Sequence, residues 1–111
     1  MTESSYILCA AIDFGTTYSG YAFSTRHDFD ADPLKVAACQ WTAGSSNVMS
    51  LKTPTTVLFN PDRKFDSFGF EAEDRYCQLM DDGQHQEWYY FRRFKMRLFN
   101  SKVRFLSLFY S

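Results

Sequence analysis

The sequence has no apolar stretch of membrane-spanning length. Its first five residues, Met1-Thr2-Glu3-Ser4-Ser5, carry an acid and no base, and the apolar run behind them ends at Ile12, so a secretory leader is not indicated either. A cytoplasmic location is the expectation. Cysteine is scarce and odd in number. Cys9, Cys39 and Cys77 show no paired metal-ligand spacing, which argues against a disulfide framework or a zinc site and for reduced thiols. Neither His27 nor His85 has a serine or cysteine partner at readable spacing, so conventional nucleophilic catalysis is poorly supported. His27 with Asp28 and Asp30 is consecutive loop material with no further ligand in view. Internal repeats and a domain linker are also missing, and 111 residues suit one small domain with a single core rather than two lobes.

Acid is absent from one region. Residues 88–111 hold six bases and no acid, whereas residues 1–87 hold all 13 acids and the other six bases, so the net charge of −1 hides an electrostatically separate tail. Hydrophobic material is plentiful. Apolar residues reach 45% and aromatics 19%, enough to argue against disorder.

Chemistry concentrates in Ala11-Ile12-Asp13-Phe14-Gly15-Thr16-Thr17-Tyr18-Ser19-Gly20. Tyr6 to Ile12 has no charge and reads as a buried strand, after which Asp13 sets a carboxylate at the strand's end. Gly15 permits a turn that a Cβ would hinder, and Thr16 and Thr17 offer hydroxyls and unpaired amides suited to anionic oxygens. A plain hairpin turn, with Asp13 and the threonines satisfying its backbone, uses the same residues. From Tyr18 to Ser24, Ser19, Tyr21 and Phe23 alternate with Gly20, Ala22 and Ser24. This predicts an antiparallel partner for the first strand with something lying close on its small-residue face.

Arg26 to Pro33, rich in aspartate, reads as a solvated loop, Val36 to Trp41 as a short third strand, and Thr42 to Ser50 as a loop. Pro54 suits an edge position or the start of a strand, the β-branched run after it extends to Phe59, Asn60 to Lys64 turns, and Phe65 to Phe70 returns as a hairpin partner. From Glu71 the period becomes helical, with Ala72, Tyr76, Leu79 and Met80 on one face and Glu71, Glu73 and Asp74 in the first turn. Gly83 stops this helix, and Asp81 and Asp82 oppose its dipole, so its last turn is expected to fray. Trp88 to Phe99 is aromatic and basic, and Val103, Phe105, Ser107 and Phe109 continue on one face of a notional strand.

The loop at Asp13 resembles the first phosphate-binding motif of the superfamily uniting actin, sugar kinases and the seventy-kilodalton heat-shock chaperones, in which Asp-x-Gly-Thr-Thr links two strands of an ATPase lobe. Three blocks carry a likeness to the divergent twelfth subgroup of the heat-shock seventy type: Ala11 to Ala22, Lys52-Thr53-Pro54-Thr55-Thr56, and Arg63-Lys64-Phe65-Asp66-Ser67-Phe68-Gly69-Phe70. A looser fourth is Phe94-Lys95-Met96-Arg97-Leu98. The resemblance implies an α/β fold, mostly antiparallel strands with one clear helix, corresponding to the opening part of an actin-like (ribonuclease H-like) lobe. It divides the chain into a partial nucleotide-binding domain over 1–98 and a divergent tail over 99–111.

By the same resemblance, the cofactors are ATP and magnesium. Asp13 is the carboxylate that holds magnesium through its water shell, Gly15, Thr16, Thr17 and Tyr18 contact phosphate oxygens, and Lys95 is the counterpart of a catalytic lysine near the γ-phosphate. Phosphoryl transfer needs such positioned donors and metal far more than a covalent nucleophile. Half of that cradle is present, so the expected role is ATP binding without hydrolysis by this chain alone, beside client proteins or a longer relative. Two alternatives stand. The basic aromatic residues Arg92, Arg93, Lys95, Arg97, Lys102 and Arg104 with Trp88, Tyr89, Tyr90, Phe91 and Phe94 would suit a nucleic acid or an anionic membrane, or the chain is a non-functional truncated product.

Overall fold

The computed structural model describes residues 6–44 and 47–100. Its leading element is a hairpin. Strand β1 (Leu8–Phe14) pairs antiparallel with β2 (Tyr18–Thr25), in a register that sets Ile12 opposite Tyr21, Asp13 opposite Gly20 and Phe14 opposite Ser19. Residues opposed in an antiparallel ladder share a face. Leu8, Ala10, Ile12, Phe14, Tyr21 and Phe23 therefore lie on one side, and Cys9, Ala11, Asp13, Gly20, Ala22 and Ser24 on the other. The first strand is not buried as expected, since Ile12 is 80% exposed and Leu8 52%. Nothing among the described residues pairs with the second edge of β1, so the run's apolar character reports a surface left open here.

Residues 26–33 depart from the expected loop. Thr25 accepts a hydrogen bond from the Asp28 amide at 3.1 Å and so caps a short helix, α1 (Arg26–Ala31). A capping threonine offsets the poor helix propensity of aspartate in the first turn. The chain then adds β3 (Ala37–Ala38) to the outer side of β2. What reads as a loop over 42–50 contains a second, small hairpin, β4 (Trp41–Ala43) with β5 (Val48–Ser50), joined to the first sheet by an edge-on contact of Trp41 with Tyr21 at 6.2 Å.

Strand β6 (Thr53–Pro54) pairs with Tyr18 and Ser19 at the start of β2, and the chain breaks at Thr55 before β7 (Thr56–Phe59). β7 is the centre of a three-stranded antiparallel sheet, between β8 (Phe65–Phe68) and β9 (Tyr89–Arg92). The expected hairpin over 56–68 is present, with a register shift between Leu58 and Phe59. Helix α2 (Phe70–Asp81) packs on this sheet and supplies the core, since the buried apolar residues are Leu58, Ala72 and Leu79, flanked by Tyr76, Trp88 and Tyr90. Its end, where the two aspartates oppose the dipole, is closed by backbone bonds. The Asp82, Gly83 and Gln84 amides donate to the carbonyls of Gln78, Met80 and Leu79, and Gly83 takes the left-handed conformation that closes such an end.

A 3-10 turn (His85–Glu87) leads into β9, and α3 (Lys95–Asn100) follows. The notional strand over 102–111 lies outside the described residues. The fold class is α/β with antiparallel sheets, as the sequence indicates, and α1 and α3 add short helices to the single one expected. Among the described residues no helix is long and apolar enough to cross a membrane.

Candidate functional site

Residues Gly15, Thr16 and Thr17 connect β1 to β2, and the turn is held from both sides. The Gly15 amide donates to the Tyr18 carbonyl at 3.0 Å, so it closes the turn and is not a free phosphate donor, contrary to the sequence expectation for that amide. A Cβ on Gly15 would lie 2.2 Å from the same carbonyl oxygen, so the turn admits only glycine.

The second clamp is Thr55, fully buried in the break between β6 and β7. Its hydroxyl donates to the Gly15 carbonyl at 2.8 Å. That hydroxyl has one proton, so the 2.8 Å contact with Ser19 is Ser19 Oγ donating to Thr55 Oγ1. The Thr55 amide donates to the Thr17 carbonyl, and its own carbonyl accepts from the Arg93 amide, both at 2.9 Å. One residue thereby ties the loop to β2, β7 and the end of β9. The amides of Thr16 and Thr17 make no backbone hydrogen bond among the described residues, and the Thr16 side chain faces solvent. The donors the loop keeps for a ligand are these two amides and hydroxyls.

Asp13 lies on the small-residue face, opposite Gly20. As the alternation in β2 indicates, something lies close there, and it is Leu51–Lys52: a Cβ on Gly20 would come within 2.9 Å of the Leu51 carbonyl and 3.4 Å of Lys52 Cγ. The missing side chain at Gly20 gives Lys52 its path across the hairpin. Lys52 Nζ reaches Asp13 Oδ2 at 2.6 Å, with both side chains more than half exposed. The Lys52 hydrogen bond and charge hold the Asp13 carboxyl below the usual carboxylate range, and Lys95 adds a smaller pull.

Lys95, at the start of α3, arrives from the other end of the chain. Phe94 packs its ring 5.8 Å from that of Phe14, and Lys95 Nζ lies 5.9 Å from the Phe14 ring centre. An open apolar groove of about 570 Å³, lined by Phe14, Lys95, Met96, Leu98 and Phe99, adjoins it. All the expected site residues, Asp13, Gly15, Thr16, Thr17, Tyr18 and Lys95, thus gather at one end of the first hairpin. Lys52 and Thr55 join them without having been assigned roles from sequence. Both lie in the Lys52 to Thr56 block, but their partners are 39 and 40 residues away, beyond any local pattern.

The residues present suit a polyphosphate anion: free hydroxyls, free amides and two ammonium groups around a turn a Cβ would obstruct. They suit magnesium less completely. Among the described residues no three His, Cys, Asp or Glu side chains cluster, so magnesium held at Asp13 relies largely on water and substrate phosphates for its other ligands.

The basic aromatic stretch is largely packed against the rest of the fold. Tyr90 stacks on Tyr76 with centroids 4.1 Å apart, Phe91 packs on Phe59, Phe94 on Phe14, and Arg75 lies over Trp88. Rings engaged this way are not a free platform for nucleic-acid bases.

No family model and no solved structure matches the sequence. Among curated proteins, the chain is 42% identical over 97 residues to human and mouse Heat shock 70 kDa protein 12A and to human Heat shock 70 kDa protein 12B. The alignment covers 86% of this chain but only 13–14% of those proteins, so the chain spans about one-seventh of the length of the relatives it matches. Over most of its own length, this chain is similar to one stretch of the proteins named Heat shock 70 kDa protein 12A and 12B.

Proposed function

We propose that residues 1–98 form part of an actin-like nucleotide-binding lobe that binds ATP through its phosphates, with residues 99–111 a separate tail. The observation that carries this reading is the Gly15–Thr17 turn, pinned by Thr55 and presenting the Thr16 and Thr17 donors near the Asp13–Lys52 pair, with Lys95 over Phe14 at the same end of the hairpin. Kinship with proteins named heat shock 70 kDa supports it.

The residues' work is positional. The two threonines and their amides hold phosphate oxygens, Lys95 faces the terminal phosphate, and Asp13 orients the water shell of magnesium when the metal arrives with the nucleotide. Magnesium held there through water would neutralise phosphate charge. One carboxylate is too little both to hold a metal and to position an attacking water, so the reading ends at binding and leaves turnover to a more complete lobe.

The test is calorimetric titration of the whole chain with ATP in excess magnesium, wild type against Asp13→Ala. The expected result is loss of the magnesium-dependent part of the affinity in the variant. Equal affinities refute the assignment.

A further inference from the structure

We infer that Lys52 is a phosphate-binding residue which Asp13 holds in reserve, so that this site takes a polyphosphate without a metal ion. The inference rests on the phosphate-binding reading above and adds a residue and a ligand requirement to it.

Three observations lead there. First, the Lys52 ammonium lies 2.6 Å from Asp13 Oδ2, the oxygen a metal's water shell would otherwise engage. A monovalent cation of the protein's own already occupies the carboxylate. Second, the approach is built rather than incidental, because Gly20 leaves the surface that the Lys52 stem crosses and Thr53–Pro54 fixes the backbone beside it by pairing with Ser19 and Tyr18. Third, Lys95, which lies over the Phe14 ring next to Asp13 in the chain, adds its field to the direct contact of Lys52 with that carboxylate. Two ammonium groups against one carboxylate leave the site with a positive excess before any metal enters.

Physical chemistry then decides which partner Lys52 keeps. An ion pair between two side chains this exposed is weak and easily exchanged. A triphosphate offers several charged oxygens at once, and the lysine's flexible stem turns through single-bond rotations to meet them. Lys52 moves from carboxylate to phosphate, and Asp13 is released. In the absence of metal, the released carboxylate opposes the anion; in its presence, Asp13 accepts the metal's water shell. Removing the Asp13 charge therefore has opposite effects in the two conditions.

The experiment is titration of the whole chain with ATP and with inorganic triphosphate, each in EDTA and in excess magnesium. Wild type, Lys52→Ala, Lys52→Arg and Asp13→Asn are compared, with far-UV circular dichroism confirming that each variant is folded. Wild type is expected to bind both ligands in EDTA. Lys52→Ala should bind about tenfold more weakly there, the change expected from one lost charge-assisted hydrogen bond. Lys52→Arg should restore most of that loss, and Asp13→Asn should bind at least as tightly as wild type in EDTA. Binding by wild type only when magnesium is present, or Lys52→Ala equal to wild type in EDTA, overturns the role of Lys52 and leaves the phosphate-binding reading in place. No binding by any form under either condition removes both.

Discussion

At the scale of single residues the loop's stability depends on a buried hydroxyl. Thr55 is fully buried and its oxygen serves Gly15 and Ser19 at 2.8 Å each. Thr55→Val keeps the shape and strands both partners without a hydrogen bond, and unsatisfied buried polar groups cost about 1–3 kcal/mol. Chemical denaturation should show that loss. Phosphate binding should fall as well, because the Gly15 carbonyl is freed to rotate. The sequence makes Asp13, Gly15, Thr16 and Thr17 legible because they are adjacent and their turn is local. Thr55 reads as part of a β-branched run and Lys52 as the start of its block, neither with a role, since nothing in a sequence marks a side chain whose partner is about 40 residues off.

At the scale of elements, the difference between what the sequence shows and what it hides is one of length. Helix α2 is long enough for its apolar period to appear, whereas α1 has six residues and is set by its cap and by ion pairs at Asp28 and Asp30 rather than by any stripe. Asp28 accepts from Lys35 at 2.8 Å and from the Thr25 hydroxyl at 2.9 Å, and these hold its carboxyl below the usual carboxylate range. A lowered carboxyl favours the folded helix while ionised. The contribution is whole above the usual carboxylate range and disappears as pH falls through the lowered value. Amide exchange in α1 should accordingly accelerate in acid relative to α2, and Asp28→Asn should remove most of that dependence. At the other helix, Gly69 has φ +71° and no side chain, so Thr53 Oγ1 caps α2 from β6 by accepting from the Phe70 amide at 2.9 Å. Thr53→Ala is expected to lower stability by about 1 kcal/mol, the usual worth of a cap. Gly69→Ala should cost more, beyond about 2 kcal/mol, because its Cβ would also overlap the Thr53 side chain. Urea titration of the two variants gives the comparison.

For the whole molecule, the question is what becomes of the apolar material the composition promises. Large apolar residues are exposed at several places among the described residues, and on the first hairpin Ile7 is 82% and Ile12 80% exposed. Composition counts apolar residues but does not say what they face, and this is why β1 reads as a buried strand and is found uncovered. An apolar strand with an unpaired edge promotes association between chains. The purified chain should therefore scatter light increasingly with concentration and bind an apolar dye in its folded state. Ile12→Lys separates this from instability of the fold. Ile12 touches no part of the core at Leu58, Ala72 and Leu79, so the substitution should move the unfolding midpoint little, within about 0.5 kcal/mol. It should also raise the concentration at which scattering begins, because a lysine on an open edge resists pairing. A large loss of stability in Ile12→Lys would instead mean that the Ile12 face of the strand is covered in solution.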